Sequence, residues 1–88
     1  MLVLVIGTFP DPSKIAPYAE AELATIAAHK AASRVANAYQ RVDEKGVPKG
    51  VALIWRVGSL DEAREHVGKL LFSQHGLMTT ELVEIVEF

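Results

Sequence analysis

Apolar and polar positions alternate along this chain in a pattern that predicts four strands and two helices. A continuous apolar run at residues 2–6 is typical of a strand in the middle of a sheet. Residues 35–42 and 51–57 alternate between apolar and polar, which predicts strands with one covered face. Residues 79–88 form a fourth segment whose two faces are both mixed, as expected at a sheet edge.

Two further segments have the spacing of helices. The first is predicted to begin near Ala16, because Pro17 fits only in a first turn, and to end about Ser33. The second is predicted to begin at Ser59, which forms a capping box with Glu62, and to run to Gly76. The predicted buried stripes are Ile15, Ala19, Leu23, Ile26 and Lys30 in the first helix, and Leu60, Ala63, Val67, Leu70 and Leu71 in the second.

The order strand, helix, strand, strand, helix, strand is the split β-α-β pattern of the ferredoxin-like fold. It predicts an α+β architecture in which a four-stranded antiparallel sheet carries two helices on one face. We expect the chain to form a single ferredoxin-like domain, residues 1–88. Residues 43–50, which include Gly46, Pro48 and Gly50, are predicted to be the hairpin loop between the second and third strands.

Such a sheet leaves one face uncovered, and the composition indicates how that face is used. Hydrophobic residues make up 50% of the chain and the mean hydropathy is +0.21. A domain of this size buries only about two-thirds of its unfolded surface. The uncovered face is predicted to carry Leu4, Ile6, Ile54 and Val86, a patch that is rare on soluble monomers. We therefore expect a homodimer.

Charge and cysteine content exclude several classes of protein. The net charge is −2 and there is no basic stripe, so nucleic acid is not an expected partner. The absence of cysteine excludes disulfides, thiolate chemistry and cysteine-ligated metals. The apolar start is too short to span a membrane and lacks a charged leader, so we expect a cytoplasmic protein with no membrane partner.

Several of these segments resemble the dimeric α/β-barrel superfamily, especially the muconolactone isomerase-like small proteins. The likeness is closest at residues 11–14, which enter the first helix, and from residues 59–62 through 71–72 to the strand at 81–85. The resemblance implies a homodimer whose two sheets face each other around a cleft. It also implies a small oxygenated or aromatic-derived organic ligand. The hairpin at 43–50 is longer than in the isomerase, and no catalytic signature transfers residue by residue.

Polar side chains in the two middle strands form the candidate site. If Ala36 and Ala38 lie under the helices, then Asn37, Tyr39, Arg41 and Arg56 share the opposite face with Ile54. A guanidinium offers paired donors to a carboxylate, so the two arginines are candidate ligand-binding residues. The Tyr39 hydroxyl is a candidate catalytic proton donor, and Asn37 is a candidate for orienting the ligand. The alternative is an ordinary interface whose polar groups are satisfied.

Among the three histidines, His75 is the candidate acid/base catalyst. It precedes Gly76 at a predicted helix end, where the helix dipole favours the charged ring. His29 and His66 are predicted to lie on the surface, with His66 four residues after Glu62 and able to pair with it.

No cofactor or metal is expected. No histidine pair has the spacing of a metal motif such as H-E-x-x-H, and Gly7 stands alone without a glycine-rich phosphate loop. Glu20 and Glu22 are two residues apart on a helix, do not face one another, and are predicted to be solvated.

Two functions from different classes remain open. One is a small enzyme, either an isomerase or lyase or a cofactor-free oxygenase, acting on a small organic acid or aromatic-derived metabolite in the cleft between the sheets. The other is a non-catalytic module of the same fold that binds a small ligand or supports assembly. The first predicts Tyr39, an arginine and a histidine around one cleft, and the second predicts a cleft filled by apolar side chains.

Overall fold

A computed structural model describes residues 1–88 and places all four strands in one antiparallel sheet of order β2-β3-β1-β4. Both main helices lie on one face of this sheet, which confirms the predicted ferredoxin-like α+β fold. No helix is both long and apolar enough to cross a membrane. The strands are β1 (Leu2–Thr8), β2 (Val35–Val42), β3 (Pro48–Arg56) and β4 (Thr79–Ile85), and the helices are α1 (Ala16–Ala31), α2 (Leu60–Gly68) and the single turn α3 (Leu71–Gln74).

The hairpin between β2 and β3 is shorter than predicted. Pro48 pairs with Val42, so β3 begins at Pro48 and the loop spans residues 43–47. The carboxylate Oδ1 of Asp43 accepts from the backbone N of Lys45 at 2.8 Å and of Val47 at 3.0 Å, which closes the turn. Proline is compatible with the first position of a strand, where its missing donor costs little.

The predicted second helix is broken into two. Leu70 has extended backbone angles (φ −65°, ψ 145°), and α3 restarts at Leu71. The break directs both Leu70 and Phe72 into the core, where they are 1% and 5% exposed. Phe72 rather than Leu71 is therefore the buried residue, and Gly76, at φ 65°, ends this segment in the left-handed region.

The helix-facing side of the sheet forms the core. Val3 and Val5 of β1 and Leu53 and Trp55 of β3 are at most 1% exposed, because the side chains of paired antiparallel strands share a face. Trp55, predicted to pack beneath the helices, is completely buried. A bulge in β2 places Val35 rather than Ala36 beside Trp55, whereas Ala38 lies opposite Leu53 as predicted.

The other side, which we call the open face, is apolar along its centre. Leu4 pairs with both Ile54 and Val83, so these side chains lie side by side. Val86, predicted on this face, lies beyond the end of β4. The half-buried or exposed apolar residues of the open face are Leu2, Leu4, Ile6, Ile54, Val83 and Ile85.

The start of α2 is capped by two side chains. Ser59 Oγ accepts from the backbone N of Glu62 at 3.1 Å, as predicted. Glu62 Oε2 accepts from the backbone N of Gly58 at 2.7 Å, not from that of Ser59, so the reciprocal bond lies one residue earlier than in a standard capping box.

Replacing Ser59 with alanine removes this cap, and Ser59→Ala is expected to lower the free energy of unfolding by about 1 kcal/mol, read from the urea midpoint. Ser73→Ala is the matched control, because Ser73 Oγ is buried without a hydrogen-bond partner and its removal breaks no bond. An unchanged midpoint for Ser59→Ala would show that the observed bond contributes nothing.

Candidate functional site

A cavity of about 160 Å³ lies between α1 and the helix-facing side of the sheet. Ten of its twelve lining residues are hydrophobic. Ile15 and Ile26 come from the α1 side, Leu53 from the sheet, and Phe72 from α3. Its size matches cavities that bind a single aromatic ring (roughly 150 Å³).

Glu22 is the charged residue in this apolar wall, and it is only 1% exposed. Its Oε2 accepts from the backbone N of Phe72 at 2.7 Å, whereas its Oε1 is buried without a hydrogen-bond partner. A buried carboxyl oxygen without a donor costs free energy. One carboxyl oxygen of Glu22 is therefore fixed by the chain, and the other has no partner within it.

The position of Glu22 corrects two predictions. Glu22 was expected in solvent and Leu23 in the buried stripe, but Leu23 is 68% exposed. The true stripe of α1 passes through Ile15, Ala19, Glu22 and Ile26, with steps of four, three and four residues. The sequence did contain one indication that Glu22 is buried: it lies seven residues after Ile15 and four before Ile26, on the same helical face.

One reason for the burial of Glu22 lies outside its own helix. The first turn of α3 has free backbone N–H groups, and its N-cap, Leu70, makes no side-chain hydrogen bond. The Glu22 carboxylate supplies that acceptor from α1. This capping bond spans 50 residues of sequence, and local sequence rules do not detect it.

The four predicted ligand-binding and catalytic residues of the middle strands share the open face, as expected. Asn37 pairs with Ile54, Tyr39 with Ala52 and Arg41 with Gly50. Tyr39 also borders the cavity, although it is 58% exposed.

The Arg41 guanidinium is held in place by the sheet. Its Nη1 donates to the backbone O of Gly7 at 3.0 Å and to Thr8 Oγ1 at 2.9 Å. The guanidinium lies beside Gly50. A Cβ atom at this position would collide with the Gly7 carbonyl oxygen, so glycine is required for β3 to approach β1 this closely.

Arg56 lies at the opposite end of β3. Its Nη1 donates to the backbone O of Ser33 at 3.3 Å. Arg56 is six residues along the strand from the partner of Arg41, which corresponds to roughly 20 Å at about 3.3 Å per residue. Within one chain the two guanidiniums therefore serve different ends of the open face.

His75 lies in the helical layer, at the end of α3. Its ring stacks on Tyr18 of α1, with centroids 4.2 Å apart. The structure therefore places His75 on the other side of the sheet from Asn37, Arg41 and Arg56, and these predicted site residues do not form one cluster within the chain.

The other two histidines are half-buried rather than fully on the surface, because both contact Trp55. His66 stacks on the indole at 5.3 Å, and His29 meets it edge-on at 4.9 Å. His66 Nε2 also lies 3.7 Å from Glu62 Oε1, the predicted pairing. His29 Nδ1 accepts from Arg34 Nε at 2.8 Å. Burial, followed by the charges of Arg34 and His66, lowers the pKa of His29 below 6.5.

No group of three or more His, Cys, Asp or Glu side chains is placed to hold a metal ion.

Comparison with known proteins gives a structural match. No protein family and no curated protein matches the sequence. Among solved structures, the chain is similar to the 5-chloro-2-hydroxyhydroquinone dehydrochlorinase TftG from Burkholderia phenoliruptrix AC1100, in complex with 2,5-dihydroxybenzoquinone. The TM-score is 0.85 at 20% sequence identity, covering 100% of this chain and 96% of that one. TftG has the fold of the dimeric α/β-barrel superfamily, so the predicted resemblance is confirmed at the level of the fold.

The lowered pKa of His29 makes stability depend on pH. The unfolded chain binds a proton at this site at higher pH than the folded chain does, so the free energy of unfolding falls as pH drops below 6.5 and levels off below the folded pKa. We expect the urea midpoint to fall between about pH 7.5 and about pH 5.

His29→Gln is expected to flatten this slope, whereas the exposed control His75→Gln keeps it. Equal slopes in the parent and in His29→Gln would contradict the assignment of this pH dependence to His29.

Proposed function

We propose that this chain is a small enzyme of the isomerase or lyase type, in which Glu22 transfers a proton to or from a small aromatic-derived molecule bound in the cavity. The observation that carries the proposal is the unbonded Glu22 Oε1, buried in a residue that lines a cavity of one-ring size. An unpartnered carboxyl oxygen in such a place is a candidate general base.

The surroundings of Glu22 suit proton transfer. The bond from Phe72 N fixes the orientation of the carboxyl group, so Oε1 needs no reorganisation before it accepts a proton. The mostly apolar walls strengthen electrostatic interactions between Glu22 and a bound molecule. Removal of a proton by Oε1 leaves an electron pair on the ligand, which can shift a double bond or expel a leaving group.

The structural neighbour supports the same class of chemistry. Its name describes a dehydrochlorinase, which removes a leaving group and a proton, and its bound molecule is a single ring. That activity belongs to TftG, and what supports the proposal for this chain is its own cavity of one-ring size in the same fold.

The two predicted catalytic residues lie on different sides of the sheet. The Tyr39 side chain is on the open face, and its hydroxyl is the proposed proton donor to a ligand in the cleft between two sheets. His75 reaches α1 through Tyr18, and we propose it as an acid/base group near the cavity rather than in it.

The open face supports a homodimer as the working form. Its central apolar residues resemble an interface core, and its outer strands carry opposite charges, Arg41 on β2 and Glu81 on β4. A two-fold arrangement of two open faces lets each outer strand meet one of opposite charge. In that arrangement Asn37, Arg41 and Arg56 line the cleft between the sheets, which is the alternative ligand site.

The proposed function is tested with a panel of hydroxylated and halogenated one-ring compounds, by following product and halide release. Glu22→Gln is expected to lower kcat by about 100-fold or more, because the amide cannot take the proton. The amide oxygen still accepts from Phe72 N, so the fold is retained. Glu20→Gln, an exposed position on the same helix, is the matched control.

If no compound is turned over, the protein is better described as the non-catalytic module. If Glu22→Gln turns over substrate like the parent, Glu22 is not the base.

The homodimer is tested by sedimentation at micromolar concentration. The native chain is expected to sediment as a dimer, and Leu4→Lys, at the centre of the open face, is expected to shift it to monomer. Glu65→Lys, on the exposed surface of α2, is the control for a charge change alone. A native chain that sediments only as monomer would rule the dimer out.

A further inference from the structure

We infer that the cavity selects an uncharged one-ring molecule with two polar substituents, a hydroxyl that donates to Glu22 Oε1 and a second polar group that meets Gln40 at the mouth. This inference rests on the proposed function, because a general base must be an ionised carboxylate. It narrows the ligand class, since small carboxylic acids are excluded from this site.

At Glu22, the ligand has to supply a hydrogen-bond donor. An ionised carboxylate has acceptors only. Phe72 N satisfies Oε2, and Oε1 has no partner from the protein. A ligand that offers an O–H at this point satisfies the buried oxygen and presents the proton to be removed. A ligand without a donor leaves that oxygen unpaired, which lowers its affinity.

The charge balance of the cavity disfavours an anion. A ligand carboxylate would place a second negative charge close to Glu22 in an apolar environment, where like charges repel strongly. No lysine or arginine is among the lining residues. Arg41 and Arg56 are bonded to backbone oxygens of Gly7 and Ser33, and neither offsets a charge in this cavity.

The walls set the size and shape of the ligand. Phe9 and Phe72 line the cavity and meet edge to face, with centroids 5.2 Å apart. Aromatic edges and faces favour a flat ring as a third member of the group. A volume of about 160 Å³ is close to that of cavities known to hold a single ring.

The mouth supplies the second polar contact. Gln40 is the lining residue besides Glu22 that is not hydrophobic, and unlike Glu22 it is exposed. Its amide both donates and accepts, so it can pair with a hydroxyl or a carbonyl. The two polar residues therefore differ in depth, one buried and one exposed. A ligand with polar groups at both ends satisfies both.

Calorimetric titration with four probes of one-ring size tests the inference: toluene, phenol, hydroquinone and benzoate. We expect phenol to bind about tenfold or more tightly than toluene, hydroquinone more tightly than phenol, and benzoate not at all. Gln40→Leu is expected to reduce hydroquinone to the affinity of phenol while phenol keeps its own. Glu22→Gln is expected to admit benzoate, because it removes the negative charge and turns an amide N–H donor toward the ligand.

The outcomes separate this inference from the proposed function. Benzoate binding as tightly as phenol would overturn the inference, and loss of that binding in Arg56→Met would assign it to the open face. Equal affinities for all four probes, together with a turnover loss in Glu22→Gln, would overturn the inference and leave the proposed function standing. If the probes bind with the expected selectivity but no compound is turned over, the inference stands and the proposed function is overturned. Failure of every probe to bind would overturn the inference outright.

Discussion

Helices cover only one face of this sheet, and most of the structure follows from that constraint. Because neighbouring strands pair residue by residue, every second side chain of β1 and β3 enters one closed layer, and the others enter the open face. The closed layer contains the core, Trp55 and the cavity. The open face keeps an apolar surface along its centre. The cavity and the apolar open surface therefore lie on separate sides of the sheet.

Glu22 is the exception to the apolar character of the closed layer. Its burial costs free energy, and the bond to Phe72 N returns only part of it. An apolar residue of similar volume would fill the position without an unpaired oxygen, although α3 would then lose its acceptor. A costly group that is held by one oxygen and left free at the other is what a site for proton transfer requires. The same side chain therefore holds α3 and is the base in the proposed chemistry.

The strands were largely predictable from sequence, because alternation of apolar and polar residues is a direct consequence of strand geometry. β2 has the predicted bounds, and the faces of β3 are assigned correctly. Which face of α1 is buried could not be predicted to within one residue. Glu22 and Leu23 are 100° apart on the helix, and the many alanines around them give little contrast between faces. The bond from Phe72 N to Glu22 favours the observed face, and its donor lies 50 residues away in sequence.

The candidate site was harder to predict than the fold. Polar residues on a strand were the visible signal, and they were assigned correctly to the open face. The cavity lies on the other side of the sheet, and its volume depends on how α1 and α3 pack, which no residue pattern encodes. The break at Leu70, which brings Phe72 into the cavity wall, likewise depends on packing rather than on helix propensity.

Trp55 is the only tryptophan of the chain, and its indole contacts two imidazole rings. A protonated imidazole in contact with an indole quenches its fluorescence by accepting an electron from the excited ring. The buried core therefore contains its own optical reporter. Emission from Trp55 is expected to follow the charge state of His29 in the folded protein, before any strand or helix has separated, without an added dye or an engineered residue.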